Sequence, residues 1–227
     1  MNRAQFNISF KEIITVLRRW NLLKHSTFRT RPLTSDFLST CREGDHVKIY
    51  YKAVENNDYD FSIYDDSLFQ FNYIESKTDG LTLRYAFYQF PKDFPVYEDF
   101  LKREGFSYDE VGEAFKEEYE QLLGESSYKK NFVGIRYDYS TKGYKPAIHG
   151  VSHLHIGYQN SIRLNSFLCL TPYNFVIFIL HQVYYKLWEE LMKDGHFVAK
   201  FKISRRSCNN IDSRVFQAID KIHLHLR

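Results

Sequence analysis

Apolar and polar positions change period several times along this chain, and each change marks an element. Ile13, Ile14, Val16, Leu17 and Trp20 recur at helical spacing behind Ser9-Phe10-Lys11-Glu12, a capping-box sequence, which predicts a helix over 10–23. From 37 to 74 the pattern alternates, in Val47-Lys48-Ile49-Tyr50-Tyr51, Phe61-Ser62-Ile63-Tyr64 and Leu68-Phe69-Gln70-Phe71. Gly44-Asp45, Asn56-Asn57-Asp58 and Asp65-Asp66 supply turns, so an antiparallel meander is expected. A further strand over 81–90 follows Asp79-Gly80 and stops at Pro91. Two helices come next, 96–103 and 107–123, the second opened by the capping box Ser107 to Glu110 and stopped by Gly124. The segment 172–193 begins at the cap pair Thr171-Pro172, ends at Asp194-Gly195 and is apolar nearly all round in its first half, as a buried helix should be. Phe197, Ala199, Phe201 and Ile203 alternate, predicting a last strand over 196–204. Val215, Ile219, Ile222 and Leu226 predict a helix over 213–226.

The stretch from Arg136 to Asn165 carries three of the nine histidines and three short alternating segments. Over 132–139, Arg136 and Asp138 share one face and Val133, Ile135, Tyr137 and Tyr139 the other. Over 152–156, His153 and His155 share a face opposite Leu154 and Ile156. A five-residue loop over 157–161 pairs Ile156 with Ile162, Leu154 with Leu164, His155 with Arg163 and His153 with Asn165. A four-residue loop would set Leu154 against Arg163 and mix the faces, so the five-residue register is expected. With the apolar sides turned to the 172–193 helix, Arg136, Asp138, His153, His155, Arg163 and Asn165 converge.

These elements predict one α+β domain over 1–227, a mainly antiparallel sheet packed on the buried helix of about 172–193. It is flanked by an N-terminal helix and connector (1–35), an acidic helical insert (96–125) and a C-terminal helix. Twenty Phe and eighteen Tyr in 227 residues support a packed core and exclude disorder. The polar first ten residues do not read as a signal peptide, and the longest apolar run, 175–180, is too short to cross a bilayer. Cys41, Cys169 and Cys208 are odd in number and scattered, so neither a disulfide framework nor a zinc knuckle is indicated, and a cytoplasmic protein without membrane contact is expected.

Net charge is only +3 but unevenly placed. Glu98, Asp99, Glu104, Asp109, Glu110, Glu113, Glu117, Glu118, Glu120 and Glu125 make 96–125 acidic. Lys200, Lys202, Arg205, Arg206, Arg214, Lys221 and Arg227 make the C-terminal part basic. The acidic face suits a protein partner or a second copy, and the basic part a nucleic acid, although solvated surface is the commoner meaning of such faces. Arg18, Arg19, Lys24, Arg29 and Arg31 are likewise read first as surface and second as phosphate contacts.

On the converging face the expected roles are His153 and His155 as an acid/base pair oriented by Asp138, with Arg136, Arg163, His149 and Asn165 binding phosphate or substrate. The competing reading is a polar face that merely meets water, with Asp138 paired structurally to Arg136. No cofactor is predicted, since two histidines whose third ligand would have to be His149 or Asp138 make an incomplete zinc site. His153-Leu154-His155 recurs as His223-Leu224-His225, but neither copy has the hydroxyl residue of two-histidine phosphoesterases, and Gly157 takes the place of a third alternating histidine. A P-loop, a nucleophile elbow and a dinucleotide-binding glycine fingerprint are absent.

Leu83-Arg84-Tyr85-Ala86-Phe87-Tyr88-Gln89-Phe90-Pro91, Ile135-Arg136-Tyr137-Asp138-Tyr139, His153-Leu154-His155-Ile156-Gly157, Arg163-Leu164 and Leu170-Thr171-Pro172 together resemble the bacterial family called domain of unknown function 2290, over about 37–188. That resemblance implies a bacterial cytosolic protein and carries no activity; small families of this kind are associated with antiviral defence or toxin–antitoxin-like gene clusters. The expected function is an effector acting on a nucleotide or nucleic-acid phosphate, as a phosphodiesterase or nuclease-like hydrolase. The alternative is a non-enzymatic binding or assembly subunit of a multi-protein defence complex, docking through its acidic helices and basic tail.

Overall fold

Strands adjacent in sequence lie side by side in space, so the chain builds most of its sheet as a meander. The computed structural model describes residues 1–227 apart from 28, 158–161, 207, 222–224 and 227, and of 205, 206, 221, 225 and 226 the backbone only. In chain order come α1 (Arg3–Arg19), β1 (Leu23–Ser26), α2 (Ser35–Glu43), α3 (His46–Glu55), β2 (Phe61–Ile63), β3 (Leu68–Ser76) and β4 (Gly80–Tyr88). Three helices follow, α4 (Tyr97–Arg103), α5 (Tyr108–Val111) and α6 (Lys116–Glu125), then β5 (Gly134–Ser140), β6 (Ser152–Ile156), β7 (Ile162–Ser166) and β8 (Leu168–Cys169). The chain closes with α7 (Pro172–Val183), α8 (Tyr185–Leu191), α9 (Gly195–Arg206), β9 (Asn209–Asn210), a 3₁₀ turn (Ala218–Lys221) and β10 (His225–Leu226). Among the described residues the main sheet runs β1-β2-β3-β4-β5-β6-β7-β10, antiparallel as far as β7, with β10 parallel to β7 at the edge. The fold is α+β, and no described helix is long and apolar enough to cross a membrane.

One face of the sheet is a dry aromatic layer. Phe69, Phe71, Leu83, Tyr85, Phe87, Ile135, Tyr137 and Leu154 meet Ile13, Ile14 and Leu17 of α1 and Phe175, Val176, Ile179 and Leu180 of α7. Burying each such side chain stabilises by roughly 1.5–3 kcal/mol, which fixes both helices on this side. Tyr137 ties the layer to the β8 segment: its hydroxyl accepts from the Leu170 amide at 3.0 Å and lies 2.9 Å from Ser152 Oγ. On the other face α2 and α3 cover only one part, through a smaller cluster of Phe37, Tyr50, Ala53, Tyr59 and Leu68. The remainder of that face is open.

Several expectations are corrected. Residues 47–51 are helical because His46, Tyr50 and Ala53 also fit a helical face, and Asp45 caps the Lys48 amide at 3.1 Å. Residues 196–204 are helical for the same reason: Phe197, Phe201 and Ser204 share a face, and Asp194, read as part of a helix stop, accepts from the His196 amide at 2.7 Å. The first helix starts at an Asn2/Gln5 capping box, while Ser9 is buried and accepts from the Tyr173 amide at 2.9 Å. The 107–123 helix is split at Gly112, whose φ of 52° leaves the helical region, and the 172–193 helix at Tyr184. In place of a helix over 213–226 there are the 3₁₀ turn and β10; Ile222 of that pattern lies outside the described residues.

The basic connector is structural where its partners are described. Arg29 is buried against Asp60 at 3.4 Å and donates to the Phe71 carbonyl, Arg31 pairs with Asp58, and Lys24 pairs with Asp66. Cys41, Cys169 and Cys208 are free thiols.

Candidate functional site

The hairpin register is the one the alternation requires: His153 opposite Asn165, Leu154 opposite Leu164, His155 opposite Arg163, Ile156 opposite Ile162. The loop that sets it includes residues 158–161, outside those described. Pairing across the inner strands then aligns two rows on the open face. One holds Asn72, Arg84, Asp138, His153 and Asn165; the next holds Gln70, Ala86, Arg136, His155 and Arg163. Side chains so placed stand about 5 Å apart across strands.

Asp138 is the hub. Its Oδ2 accepts from Arg136 Nε at 2.8 Å and lies 3.4 Å from His155 Nε2 and 4.0 Å from His153 Nε2. Both imidazoles are almost solvent-free, with side-chain exposures of 5% and 7%, and their ring centroids are 4.9 Å apart. His153 Nδ1 lies 3.0 Å from the Gly150 carbonyl. A carbonyl only accepts, so Nδ1 carries the proton and the neutral ring turns its Nε2 lone pair toward Asp138. Burial, joined by the charges of His155 and Arg163, pushes the His153 pKa down to about 4. Burial alone would raise the Asp138 carboxyl, but the bond from His155 and the Arg136 guanidinium outweigh it and hold that pKa below the ordinary aspartate value.

Gly150 is required for this geometry: a Cβ there would fall 2.8 Å from Asn165 Oδ1. His149 stands next to the cluster, its ring centroid 5.2 Å from that of His153, on a loop tethered by Asp220, which accepts from Tyr144 Oη and the Ala147 amide. His149 Nδ1 and Asn165 Oδ1 are both buried without a hydrogen-bond partner. A ligand or solvent reaching this corner would find two polar atoms to satisfy.

All seven predicted site residues thus lie on one surface, and six of them line or join a cleft of about 700 Å³. Asn165 sits behind its wall, against Gly150. Arg84 and Lys142 also line the cleft and were not singled out by sequence reasoning. The alternation Leu83, Tyr85, Phe87 put Arg84 on the opposite face, but only the pairing of β4 with β5 sets it beside Asp138. Arg84 and Arg163 are exposed and make no bond among the described residues, and Arg136 uses Nε alone, so guanidinium donors remain for an anion. Leu33, Leu38 and Ile74 make the opposite wall apolar.

The other charged regions bring together less. Glu113, Glu117, Glu118 and Glu120 are exposed, and the insert packs on its own small core of Tyr97, Phe100, Leu101 and Tyr119. In the basic C-terminal part Lys200 and Lys202 are exposed and Arg214 pairs with Asp212. The side chains of Arg205, Arg206, Lys221 and Arg227 lie outside those described.

The profile of a family described as uncharacterised conserved protein (DUF2290) matches residues 23–226, and the chain belongs to that family. No curated protein and no solved structure matches it.

Proposed function

We propose that this member of the family hydrolyses a phosphoester of a nucleotide or nucleic acid in the cleft above β4–β7. The observation that carries the reading is the convergence of two buried imidazoles on one carboxylate, with Arg84, Arg136 and Arg163 beside them on the same sheet face. Guanidinium groups take phosphate oxygens bidentately, and a cleft of about 700 Å³ with an apolar wall suits a nucleotide-sized group. His153, His155 and Asp138 activate water at the cluster, while Arg136, Arg163 and Arg84 hold the anion, with His149 and Asn165 lining its inner end. Water adds its oxygen to phosphorus as the ester P–O bond breaks. The bonding pair leaves with the ester oxygen, which takes up a proton, and the water's proton passes to the cluster.

A binding-subunit role has one specific support. The acidic insert, folded on its own core, exposes Phe106, Tyr108 and Leu122 beside its glutamates. Dinucleotide and single-stranded oligonucleotide turnover by the full chain separates the two. Wild type should cleave, Asp138→Asn should lose at least about 100-fold, and Arg163→Ala should raise KM. Absence of both cleavage and dinucleotide binding, with assembly lost on charge reversal at Glu113, Glu117 and Glu120, would favour the binding subunit.

A further inference from the structure

We propose that His153, His155 and Asp138 form a site for one divalent transition-metal ion, and that this ion activates the water of the reaction proposed above. The role rests on that reading; the binding itself does not. One ligand atom from each residue lies within 4.8 Å of the other two, and Asp138 Oδ2 is 3.4 and 4.0 Å from the two Nε2 atoms. Around an ion with bonds of about 2.0–2.2 Å, neighbouring ligand atoms stand roughly 3.0–3.5 Å apart, so a contraction of a few tenths of an ångström completes the set. The carboxylate that sequence reasoning left uncertain as a third ligand is therefore in place, on the strand next to the histidines.

The surroundings match what ligation asks. Metal-binding histidines give their other N–H to a carbonyl or carboxylate, which fixes ring and tautomer, and His153 Nδ1 meets the Gly150 carbonyl in that way. His153 Nε2 and the Asp138 carboxylate then face each other as two acceptors across 4.0 Å, an arrangement that a cation between them satisfies and that neutral packing does not. A carboxylate offers about four lone-pair sites, so Asp138 can take the ion while keeping Arg136. All three ligands stand on paired central strands, which hold geometry better than loops do.

Two imidazoles and one carboxylate suit zinc, iron(II) or manganese(II) rather than calcium or magnesium. Three protein ligands leave positions open for water and a phosphate oxygen, on the side where the arginines line the cleft. In this form of the reaction the water loses its proton to solvent before it attacks, since the ion lowers the water's pKa, and the ester oxygen still leaves with its bonding pair and is protonated. The histidines then act as ligands rather than as bases.

Metal-stripped full-length protein titrated with Zn²⁺ in a calorimeter, with Co²⁺ absorption as a second readout, tests the site. The expected result is one ion per chain at micromolar affinity or tighter, with His155→Ala and Asp138→Asn each weakening it by about 100-fold. Arg163→Ala should bind Zn²⁺ within about threefold of wild type yet lose dinucleotide affinity. Asp138→Asn, nearly isosteric and still able to accept from Arg136, decides the matter should His155→Ala not fold. Wild-type uptake no tighter than that of Asp138→Asn overturns the site. Dinucleotide bound equally with and without Zn²⁺, and no uptake, removes the metal and leaves the phosphoester reading; Zn²⁺ uptake without dinucleotide binding removes the reading and leaves the metal.

Discussion

Leu154 and His153 are neighbours on β6, at 0% and 4% exposure, yet they are buried for opposite reasons. Leu154 joins an aromatic layer in which Phe69, Phe71, Tyr85 and Phe175 have ring centroids 5.0–6.4 Å apart, and removal from water is what holds that layer together. Across the sheet, burial works against the charged forms of His153 and Asp138, and the cluster holds only through a few polar contacts. Buried ionic groups of this kind can often be replaced by apolar residues with little loss, or a gain, of stability. The aromatic face is accounted for by folding. The imidazole–carboxylate face is not, and that asymmetry is the reason to assign it a ligand.

The comparison can be broken by substitution, and the largest effect on stability belongs to the aromatic side. Phe175→Ala, which empties the centre of that layer, should cost about 3–5 kcal/mol in urea denaturation while leaving ligand binding by folded protein unchanged. A failure to destabilise would mean that the layer is not the core.

Next comes a histidine packed for structure rather than chemistry. His46 stacks on Phe132 at 4.5 Å, and burial lowers its pKa to about 4, partly opposed by a hydrogen bond at Gln89 and by Asp45. The ordinary value is about 6.5, so the unfolded chain takes up the proton first. Its contribution is complete above about pH 6.5 and is lost as pH falls toward 4, amounting to roughly 3 kcal/mol. His46→Phe should flatten that part of the pH–stability profile; an unchanged slope would show that the ring is not desolvated in solution.

Tyr137→Phe isolates the polar knot inside the aromatic layer. With the Leu170 amide and Ser152 hydroxyl losing their partner, about 1–3 kcal/mol should disappear from the unfolding free energy. The smallest stability change is expected on the opposite face: His155→Met should alter it by less than about 1.5 kcal/mol in either direction while abolishing turnover. A loss of 4 kcal/mol there would make the cluster a structural one.

How much of this could be read from the chain depended on whether the deciding contact was local. The β6–β7 register was legible because a slip of one residue would have set Leu154 against Arg163, and the face shared by Arg136 and Asp138 followed from strand alternation. Arg84 was not legible as a site residue, since it meets Asp138 only when β4 pairs with β5 across more than fifty intervening positions. Segments 47–51 and 197–203 fit period two and period 3.6 alike, and the caps Asp45 and Asp194, with tertiary packing, chose the helix. Asp58 and Asp60 read as turn residues, yet they anchor Arg31 and Arg29, so a connector that looked like basic surface is fixed to the sheet.

The most direct test of the phosphoester cleft is to follow the histidine ring resonances of the full chain by NMR while titrating a dinucleotide. His153 and His155, assigned by single substitutions, should shift together with one affinity, and His25 and His196, exposed on β1 and α9, should not move. A titration that moves His25 or His196 and leaves His153 and His155 in place would contradict the assignment of the cleft.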